Sequence, residues 1–570
     1  MTEAVVTPRR PVPPAGWSLL EDLERQAAAD PAGRAVVCVD SAGADHVLTW
    51  SELVAASERV AAELLALGVG PGEPVAYQLP NRLDFLAITL GALRIGAACM
   101  PLMPIFRERE LAFMLAEARA RVLYVPDRFR GFDHATLARS LGQRLPALEH
   151  VIVLDSARPV ADPAVPDGPP AGDTSSMSAP RLGARARDEI ARLGARSPDE
   201  IARLGARSPD EIAQLLFTSG STGDPKGVLH RHDVLTRAAD AHAAHFGLSG
   251  EDVIFIPSPL AHQTGFLYGM WLALRLGATQ VAQEHWDAEI AFDAIERHGV
   301  TFTQAATPFL ADLVRVARER RRAPATLRVF VATGAAVPRE LAHAARTVLD
   351  AEVGGGFGTT ESCMGAGFVP GSDDERAWLT DGRALENVRL RVVDDDGREL
   401  PPGVEGNFEI LTDTLFAGYL GRPEATAAAL SSDGWYRPGD LATIDADGWL
   451  RITGRVRDVI NRGGEKVPVA EIEQLLYRHP AVAEVAIVAM PDPRLGERAC
   501  AFVVPASGAT LTFAEMQAHL DAHHVAKPYW PERLELVAEL PRTPSGKIQK
   551  FVLRDRAREF DPDAQRKAAS

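Results

Sequence analysis

Short apolar runs alternate with helical patterns along most of the chain, and this alternation restricts the fold more than any other feature. A helical period at residues 51–68 is followed by strand-like runs at 75–79 and 121–125. The same alternation returns at residues 253–257, 280–282, 301–303 and 329–331. Helices that separate buried strands indicate crossover units in a parallel sheet. We therefore predict a large α/β body.

The longest apolar stretch, Leu86 to Phe106, is interrupted by Arg94, Gly96, Pro101 and Pro104. A helix that spans a membrane tolerates such residues poorly. We predict a buried helix, a turn and a short strand in this stretch, and no membrane span.

The pattern changes again from about residue 457. A helical stretch opens at residues 471–473, and strand-like runs follow at 482–489 and 500–504. This order predicts a compact α+β C-terminal domain, joined through a charged segment at residues 455–458 that suits a hinge. The predicted domains are therefore residues 1–456 and 457–570.

Composition excludes several classes of protein. With 570 residues, 46% of them apolar, the chain can bury a large core and hold more than one domain. A net charge of −16 argues against a nucleic-acid partner, because phosphate binding needs a basic field. The four cysteines are scattered without CxxC spacing, and the N-terminus lacks the apolar core of a signal peptide. We therefore expect a cytoplasmic protein without a disulfide framework or a zinc site.

A Pro- and Gly-rich stretch at residues 155–180 predicts an exposed loop, and an eleven-residue repeat follows it, with copies that begin at Arg181, Arg192 and Arg203. Glycines and prolines in each copy would break a continuous helix. One copy supplies Ser208 as an N-cap, Pro209 at the first helical position and Glu211 as a capping-box partner, which predicts a short turn before the next strand. The other copies are interpreted as a surface insertion without a chemical role. Together with the preceding loop, this insertion covers residues 155–207.

An apolar run at residues 215–217 stops in a loop rich in hydroxyl groups and glycine, which predicts a buried strand followed by a phosphate-binding loop. Glycines let backbone N–H groups turn inward, hydroxyls donate hydrogen bonds, and a lysine adds a point charge. The residues concerned are Thr218, Ser219, Gly220, Ser221, Thr222, Gly223 and Lys226. The spacing differs from the P-loop pattern, because Gly220 is too close to Lys226 and Gly227 stands where a metal-binding hydroxyl should be. A flexible Ser/Gly connection is the alternative, but the preceding strand and the Pro-Lys-Gly tail argue against it.

This loop resembles the signature loop of the adenylate-forming (ANL) superfamily, which includes acyl-CoA synthetases, peptide-synthetase adenylation domains and firefly-type luciferases. Further segments match that superfamily in the right order from Leu48 to Arg554. The resemblance implies an α/β fold with a large N-terminal body of layered sheets and a small mobile α+β C-terminal domain. It also implies ATP, Mg²⁺ and coenzyme A as cofactors, and it is compatible with a homodimer.

The resemblance assigns roles to the matching residues. In the segment that ends at Glu361, the resemblance implies that the ring of Phe357 stacks on adenine, a position where the family more often has tyrosine. Gly358 and Thr359 follow in the same nucleotide-binding segment. Thr360 is implied to contact phosphate, and Glu361 to bind Mg²⁺ together with Thr218. The turn Gly334-Ala335-Ala336 packs against adenine and the acyl pocket. Asp440 accepts hydrogen bonds from the ribose, and Arg455 reaches the ribose or the phosphates. Lys547, after a Ser-Gly turn, is the implied catalytic lysine.

The implied reaction has two steps. A carboxylate attacks the α-phosphorus of ATP and releases pyrophosphate, with Lys547 between the attacking carboxylate and the α-phosphate. A thiol then displaces AMP after the C-terminal domain has rotated.

The implied substrate is a small carboxylic acid. His262 is interpreted as a gate beside the reacting carboxylate, with a satisfied core histidine as the alternative. The Phe-Asp segment of amino-acid-activating relatives is absent, which favours an uncharged acyl or alicyclic acid, and the branch most similar activates cyclohexanecarboxylate or medium-chain acids. Coenzyme A is the simplest acceptor. A separate carrier protein, a luciferase-like oxidation and a non-catalytic adenylate-binding protein remain alternatives.

Overall fold

The described chain consists of a large N-terminal body of layered sheets and a smaller C-terminal domain. A computed structural model describes residues 18–156, 208–218, 225–334, 339–372, 374–462, 465–542 and 548–560. Residues 157–207 of the predicted surface loop and repeats lie outside these ranges.

The strands are, in chain order, β1 Arg34–Val39, β2 Asp45–Thr49, β3 Pro74–Tyr77, β4 Ala98–Pro101, β5 Val122–Pro126, β6 Arg128–Phe129, β7 Phe132–Asp133, β8 His150–Leu154, β9 Ile212–Thr218, β10 Lys226–Arg231, β11 Val253–Phe255, β12 Thr279–Gln283, β13 Phe302–Ala306, β14 Val329–Thr333, β15 Glu352–Thr359, β16 Cys363–Gly367, β17 Gly382–Ala384, β18 Val388–Val393, β19 Gly406–Thr412, β20 Gly418–Tyr419, β21 Asp440–Ile444, β22 Trp449–Arg455, β23 Ile460–Arg462, β24 Glu465–Val467, β25 Val482–Asp492, β26 Gly496–Pro505 and β27 Arg533–Leu536.

The α-helices are α1 Leu19–Ala29, α2 Trp50–Ala66, α3 Leu83–Arg94, α4 Glu108–Ala118, α5 His134–Arg144, α6 His232–Phe246, α7 Leu272–Leu276, α8 Ala288–His298, α9 Thr307–Arg320, α10 Arg339–Leu349, α11 Asp374–Leu379, α12 Pro423–Ala428, α13 Val469–Tyr477, α14 Phe513–Ala522 and α15 Lys550–Ala557. A π-helical segment covers Thr264–Trp271, and 3₁₀ turns cover Val456–Asp458 and Lys527–Tyr529. None of the described helices is both long enough and apolar enough to cross a membrane.

Two large sheets form the body. The first has thirteen strands in the order β18-β19-β21-β22-β17-β16-β15-β14-β13-β11-β12-β1-β2, and the second has seven in the order β20-β10-β9-β4-β3-β5-β8. Strands β12, β11, β13, β14 and β15 pair in parallel, as do β4, β3, β5 and β8, which confirms the predicted α/β architecture. The strands beyond β15 pair antiparallel, and the apolar alternation did not predict that half of the sheet.

Helix α3 lies in the core of the body, since every one of its residues is buried. It packs closely against α2 at Gly91, where a Cβ would lie 2.7 Å from the Cβ of Val60. Strand β4 follows it, so the predicted order of buried helix, turn and short strand is confirmed. A fully buried ion pair between Arg275 and Asp22, at 2.9 Å, attaches α1 to the body.

The C-terminal domain packs α13, α14 and α15 against its own sheet of strands β23 to β27, which agrees with the predicted α+β composition. The last strand of the large sheet ends at Arg455, and β23 begins at Ile460. We place the division between residues 456 and 457, within the connecting 3₁₀ turn, as a proposal.

The predicted capping box at Ser208 was wrong, although the turn forms. The backbone N–H of Glu211 donates to the Ser208 carbonyl at 3.0 Å, and the Ser208 hydroxyl faces the N–H of Asp210 at 3.4 Å. Strand β9 begins at Ile212, so no helix has room to develop. The carbonyls of Pro209 and Glu211 in this turn accept hydrogen bonds from the first N–H groups of α6, those of Asp233 and His232.

Candidate active site

The predicted phosphate-binding loop joins the two strands of a β-hairpin. Strand β9 carries the apolar residues before it and pairs antiparallel with β10, with Thr218 directly opposite Lys226. The Thr218 hydroxyl lies 3.4 Å from the Lys226 carbonyl oxygen. The buried strand before the loop is therefore confirmed. Ser219, Gly220, Ser221, Thr222 and Gly223 lie outside the described residues.

A tight turn at residues 360–362 connects β15 with β16 and carries Thr360 and Glu361. The Thr359 hydroxyl accepts the N–H of Ser362 at 3.1 Å, which closes the turn. The carbonyl of Thr360 accepts a hydrogen bond from Nε2 of His230, a residue of β10, at 2.7 Å. Burial lowers the pKa of His230 to about 4, so the ring is neutral at physiological pH and donates from Nε2. This bond fixes the turn to the hairpin.

Glu361 and Lys226 meet around one tyrosine. The Tyr419 hydroxyl donates to Oε1 of Glu361 at 2.9 Å, and Nζ of Lys226 lies 4.7 Å from the centroid of the Tyr419 ring. The N–H of Phe416 donates to the Glu361 carbonyl at 2.7 Å. Burial, together with the Glu361 charge, raises the pKa of Tyr419, so its hydroxyl remains a donor. The structure thus brings together two residues that the sequence placed in separate motifs.

Phe357 and Gly334 are neighbours at the carboxyl ends of β15 and β14. The two strands run parallel with Thr333 opposite Gly356, which places the residues that follow side by side. Gly334 has φ of +85°, a conformation that favours glycine. The Phe357 ring is half-buried and contacts Phe408 edge to face at 5.3 Å. Ala335 and Ala336, the rest of the predicted turn, lie outside the described residues.

Asp440 and Arg455 form a cross-strand pair between β21 and β22. Their side chains approach to 3.3 Å, and Asp440 is only 5% exposed whereas 45% of the Arg455 side chain is exposed. Asp381 lies behind this pair and accepts the N–H of Ile452 at 2.8 Å. Burial raises the pKa of Asp381 to about 6, and the charge of Asp440 adds to the rise.

His262 lies in a constrained loop before the π-helical segment. Its Nδ1 accepts the N–H of Thr264 at 3.2 Å, and Asn81 holds the loop by accepting the N–H of Leu260 at 2.7 Å. Gly265 packs so tightly that a Cβ there would lie 2.2 Å from the carbonyl oxygen of Pro259. The next residue, Gln263, is buried close to the thiol of Cys363, whose pKa burial raises to about 12, but its amide forms no hydrogen bond among the described residues. The loop is therefore adjacent to β16, which begins two residues after Glu361.

The donor set around Glu361 fits a hard divalent cation. Glu361 accepts a hydrogen bond from the neutral hydroxyl of Tyr419 and makes no salt bridge among the described residues. No group of three or more His, Cys, Asp or Glu side chains in the described ranges is placed to hold a metal alone. Mg²⁺ commonly binds through one or two carboxylates plus substrate phosphates, which suits this arrangement.

Lys547 lies outside the described residues. Tyr419 and His230 contact the site residues but were not predicted from the sequence. Both missed residues act through contacts between distant parts of the chain, at sequence separations of 58 and 130 residues. Neither residue stands in a pattern that indicates chemistry.

The chain is similar to known proteins over most of its length. A sequence model described as AMP-binding enzyme matches residues 23–420, and one described as AMP-binding enzyme C-terminal domain matches residues 471–547. A medium-chain fatty-acid–CoA ligase of Escherichia coli (strain K12) is 35% identical over 524 residues, which are 91% of this chain and 87% of that protein. A salicyl-AMP ligase / salicyl-S-ArCP synthetase of Mycobacterium tuberculosis (strain ATCC 25618 / H37Rv) is 36% identical, over 89% of this chain and 85% of its own. The crystal structure of ATP-bound MatB from Rhodopseudomonas palustris superposes with a TM-score of 0.80 at 25% identity, over 95% of this chain and 99% of that chain.

Proposed function

This chain belongs to the AMP-binding enzyme family, the adenylate-forming superfamily, and from that premise we propose that it is an acyl-CoA synthetase. It activates a carboxylic acid as an acyl adenylate, and we propose that coenzyme A then takes the acyl group as a thioester. The observation that carries the proposal is the cluster at the end of β15, where Glu361, Thr360 and Lys226 converge from separate segments. Phe357 and Gly334 lie along the same strand ends.

In the first step the residues of this site would hold ATP. The Phe357 ring offers a face for adenine, Asp440 accepts from the ribose hydroxyls, and Arg455 supplies a positive charge for the ribose or phosphates. Lys226 and Thr360 would contact the polyphosphate, and Glu361, together with Thr218, would hold Mg²⁺, which would neutralise charge on the phosphates. Lys547 attracts both the attacking carboxylate and the α-phosphate as negative charge develops between them.

In the second step the C-terminal domain rotates so that a thiol can reach the adenylate. The domains are joined through the short turn at Val456–Asp458, whose first N–H donates to the Gly439 carbonyl at 3.0 Å. Asp458 forms an ion pair with Arg554 of α15, so the C-terminal side of the turn belongs to the small domain. Rotation about a few residues at such a connection is the usual form of hinge motion.

The acid is proposed to be an uncharged acyl or alicyclic acid. The π-helical segment beside His262 is apolar, and Phe266 and Leu267 are buried. A relative named salicyl-AMP ligase is 36% identical over 89% of this chain, so hydroxybenzoic acids belong in a substrate panel beside medium-chain and alicyclic acids.

The test is to incubate the protein with ATP, Mg²⁺ and each acid, with and without coenzyme A, and to follow pyrophosphate and AMP. We expect acid-dependent pyrophosphate release and, with coenzyme A, an acyl thioester. If no acid releases pyrophosphate, the proposal is wrong.

An acyl-AMP ligase that loads a separate carrier protein is the second candidate. A relative named salicyl-S-ArCP synthetase covers 89% of this chain, which favours including this alternative. Pyrophosphate release without a thioester on coenzyme A would support it. A non-catalytic adenylate-binding protein would release no pyrophosphate with any acid.

A further inference from the structure

Tyr419 occupies a fixed position between two opposite charges. Strand β20 pairs with β10 at the edge of the seven-stranded sheet, with Tyr419 opposite Val228. Its side chain is buried, its ring packs edge to face on Phe416 at 4.8 Å, and its N–H donates to the Thr426 hydroxyl at 2.9 Å. The tyrosine therefore has little freedom to move away from Lys226 and Glu361.

The two contacts of Tyr419 differ in character. The hydroxyl donates to the Glu361 carboxylate at 2.9 Å, and the ring face attracts the Lys226 ammonium at 4.7 Å. Neither contact neutralises a charge, because the phenol is neutral and a ring quadrupole attracts a cation without pairing with it. Among the described residues neither Lys226 nor Glu361 forms a salt bridge. Without the tyrosine, an ammonium and a carboxylate in this region would be free to pair, and the pair would compete with ligands.

We propose that Tyr419 is a positioning residue that keeps Lys226 and Glu361 apart and oriented, one for the polyphosphate and the other for its divalent cation. The inference rests on the proposed function, since it assumes that this cluster binds ATP and Mg²⁺. It predicts that the two contacts can be removed separately. The Tyr419 hydroxyl contributes to the orientation of the Glu361 carboxylate, with which Tyr436 also interacts, and the Tyr419 ring orients Lys226.

Two variants separate the contacts. Tyr419→Phe keeps the ring and removes the hydroxyl, whereas Tyr419→Leu removes both. ATP binding is measured by calorimetry at graded Mg²⁺ concentrations, without acid or thiol. For Tyr419→Phe we expect the Mg²⁺ concentration that gives half-maximal ATP binding to rise about tenfold, because outer-shell partners of a metal ligand commonly have effects of that size. ATP affinity at saturating Mg²⁺ should stay within about twofold, since the cation–π contact remains.

For Tyr419→Leu we expect the same change in Mg²⁺ dependence and, in addition, an ATP affinity at saturating Mg²⁺ that is weaker by about threefold to tenfold. Tyr477→Phe, which removes a hydroxyl in the C-terminal domain, is the control and should change neither quantity. Thermal unfolding shows whether each variant is folded. If Tyr419→Leu does not fold, the Mg²⁺ dependence of Tyr419→Phe alone tests the proposal.

A Tyr419→Phe variant with the Mg²⁺ dependence of the wild type would overturn the proposal. An equal loss of ATP affinity in both variants at saturating Mg²⁺ would also overturn it, because a purely structural role predicts that result. A wild-type protein that binds ATP with Mg²⁺ and activates no acid would refute the proposed function and leave this comparison interpretable.

Discussion

Replacing Asp381 by asparagine should stabilise the protein, and the gain should grow with pH. Asp381 accepts the N–H of Ile452 at 2.8 Å, a hydrogen bond that an asparagine oxygen can also accept. Burial raises the pKa of Asp381 from 3.8 to about 6, so the folded state disfavours its charged form. Asparagine keeps the acceptor and removes the ionisation.

The direction in which stability changes with pH follows from proton binding. Between pH 4 and 6 the unfolded chain has released this proton while the folded protein still holds it, so rising pH costs stability in that window. Above pH 6 both states are ionised and the cost is constant at about 3 kcal/mol, from a pKa rise of roughly two units at 1.36 kcal/mol each. At pH 4.5 the cost is about 1 kcal/mol, so the advantage of the variant should increase by about 2 kcal/mol between pH 4.5 and pH 7.

Thermal unfolding of wild type and Asp381→Asn between pH 4.5 and pH 8 measures this difference. A body of roughly 440 residues unfolds with an entropy of about 0.9 kcal/mol/K, so the variant should melt about 1 °C higher at pH 4.5 and about 3 °C higher at pH 7. The exposed Asp396, changed to asparagine, is the control and should show no such trend. A Tm difference that is constant with pH, or one that favours the wild type above pH 6, would refute the reasoning.

Three further predictions concern the active site. Lys547→Ala should abolish acid-dependent ATP–pyrophosphate exchange but largely spare thioester formation from a supplied acyl adenylate; equal loss of both half-reactions would contradict the role given to the lysine. Asp440→Ala should raise the KM for ATP by about tenfold to a hundredfold, because hydrogen bonds to a charged acceptor contribute about 1.5–3 kcal/mol, and an unchanged KM would show that the ribose binds elsewhere. Gly265→Val should raise the KM for the acid more than the KM for ATP in steady-state assays, since its Cβ would lie 2.2 Å from the Pro259 carbonyl and displace the His262 loop; a rise in the KM for ATP alone would place His262 away from the acid.

The fold was predictable where local pattern decides it. Buried parallel strands between helices are read directly from apolar runs, as at β13 and β14, because both faces of such strands are covered. The antiparallel strands beyond β15 are buried only in part, as β18 is, so they lack the continuous apolar runs of the parallel strands and were not predicted. The capping box at Ser208 failed because β9 begins at Ile212, three residues before the apolar run that indicated it, which leaves no room for a helical turn.

The candidate site was predictable where a motif is contiguous. Thr360 and Glu361 stand side by side in the chain, and the structure places them on one turn. Tyr419 reaches Glu361 only because β20 adds to the edge of a sheet formed by much earlier residues. No periodicity or spacing encodes that contact, so it could not be inferred from the sequence.

The pairing of β20 with β10 has a consequence for synthesis of the protein on the ribosome. Strand β10 is an inner strand of its sheet only after residues 418 and 419 have joined it. A nascent chain that has not reached those residues presents the outer backbone groups of β10 as an open edge, which can pair with other chains. About 190 residues are synthesised between β10 and β20, which takes roughly ten to forty seconds at ordinary elongation rates. Chaperone demand and aggregation of truncated products should therefore fall sharply once translation passes this point.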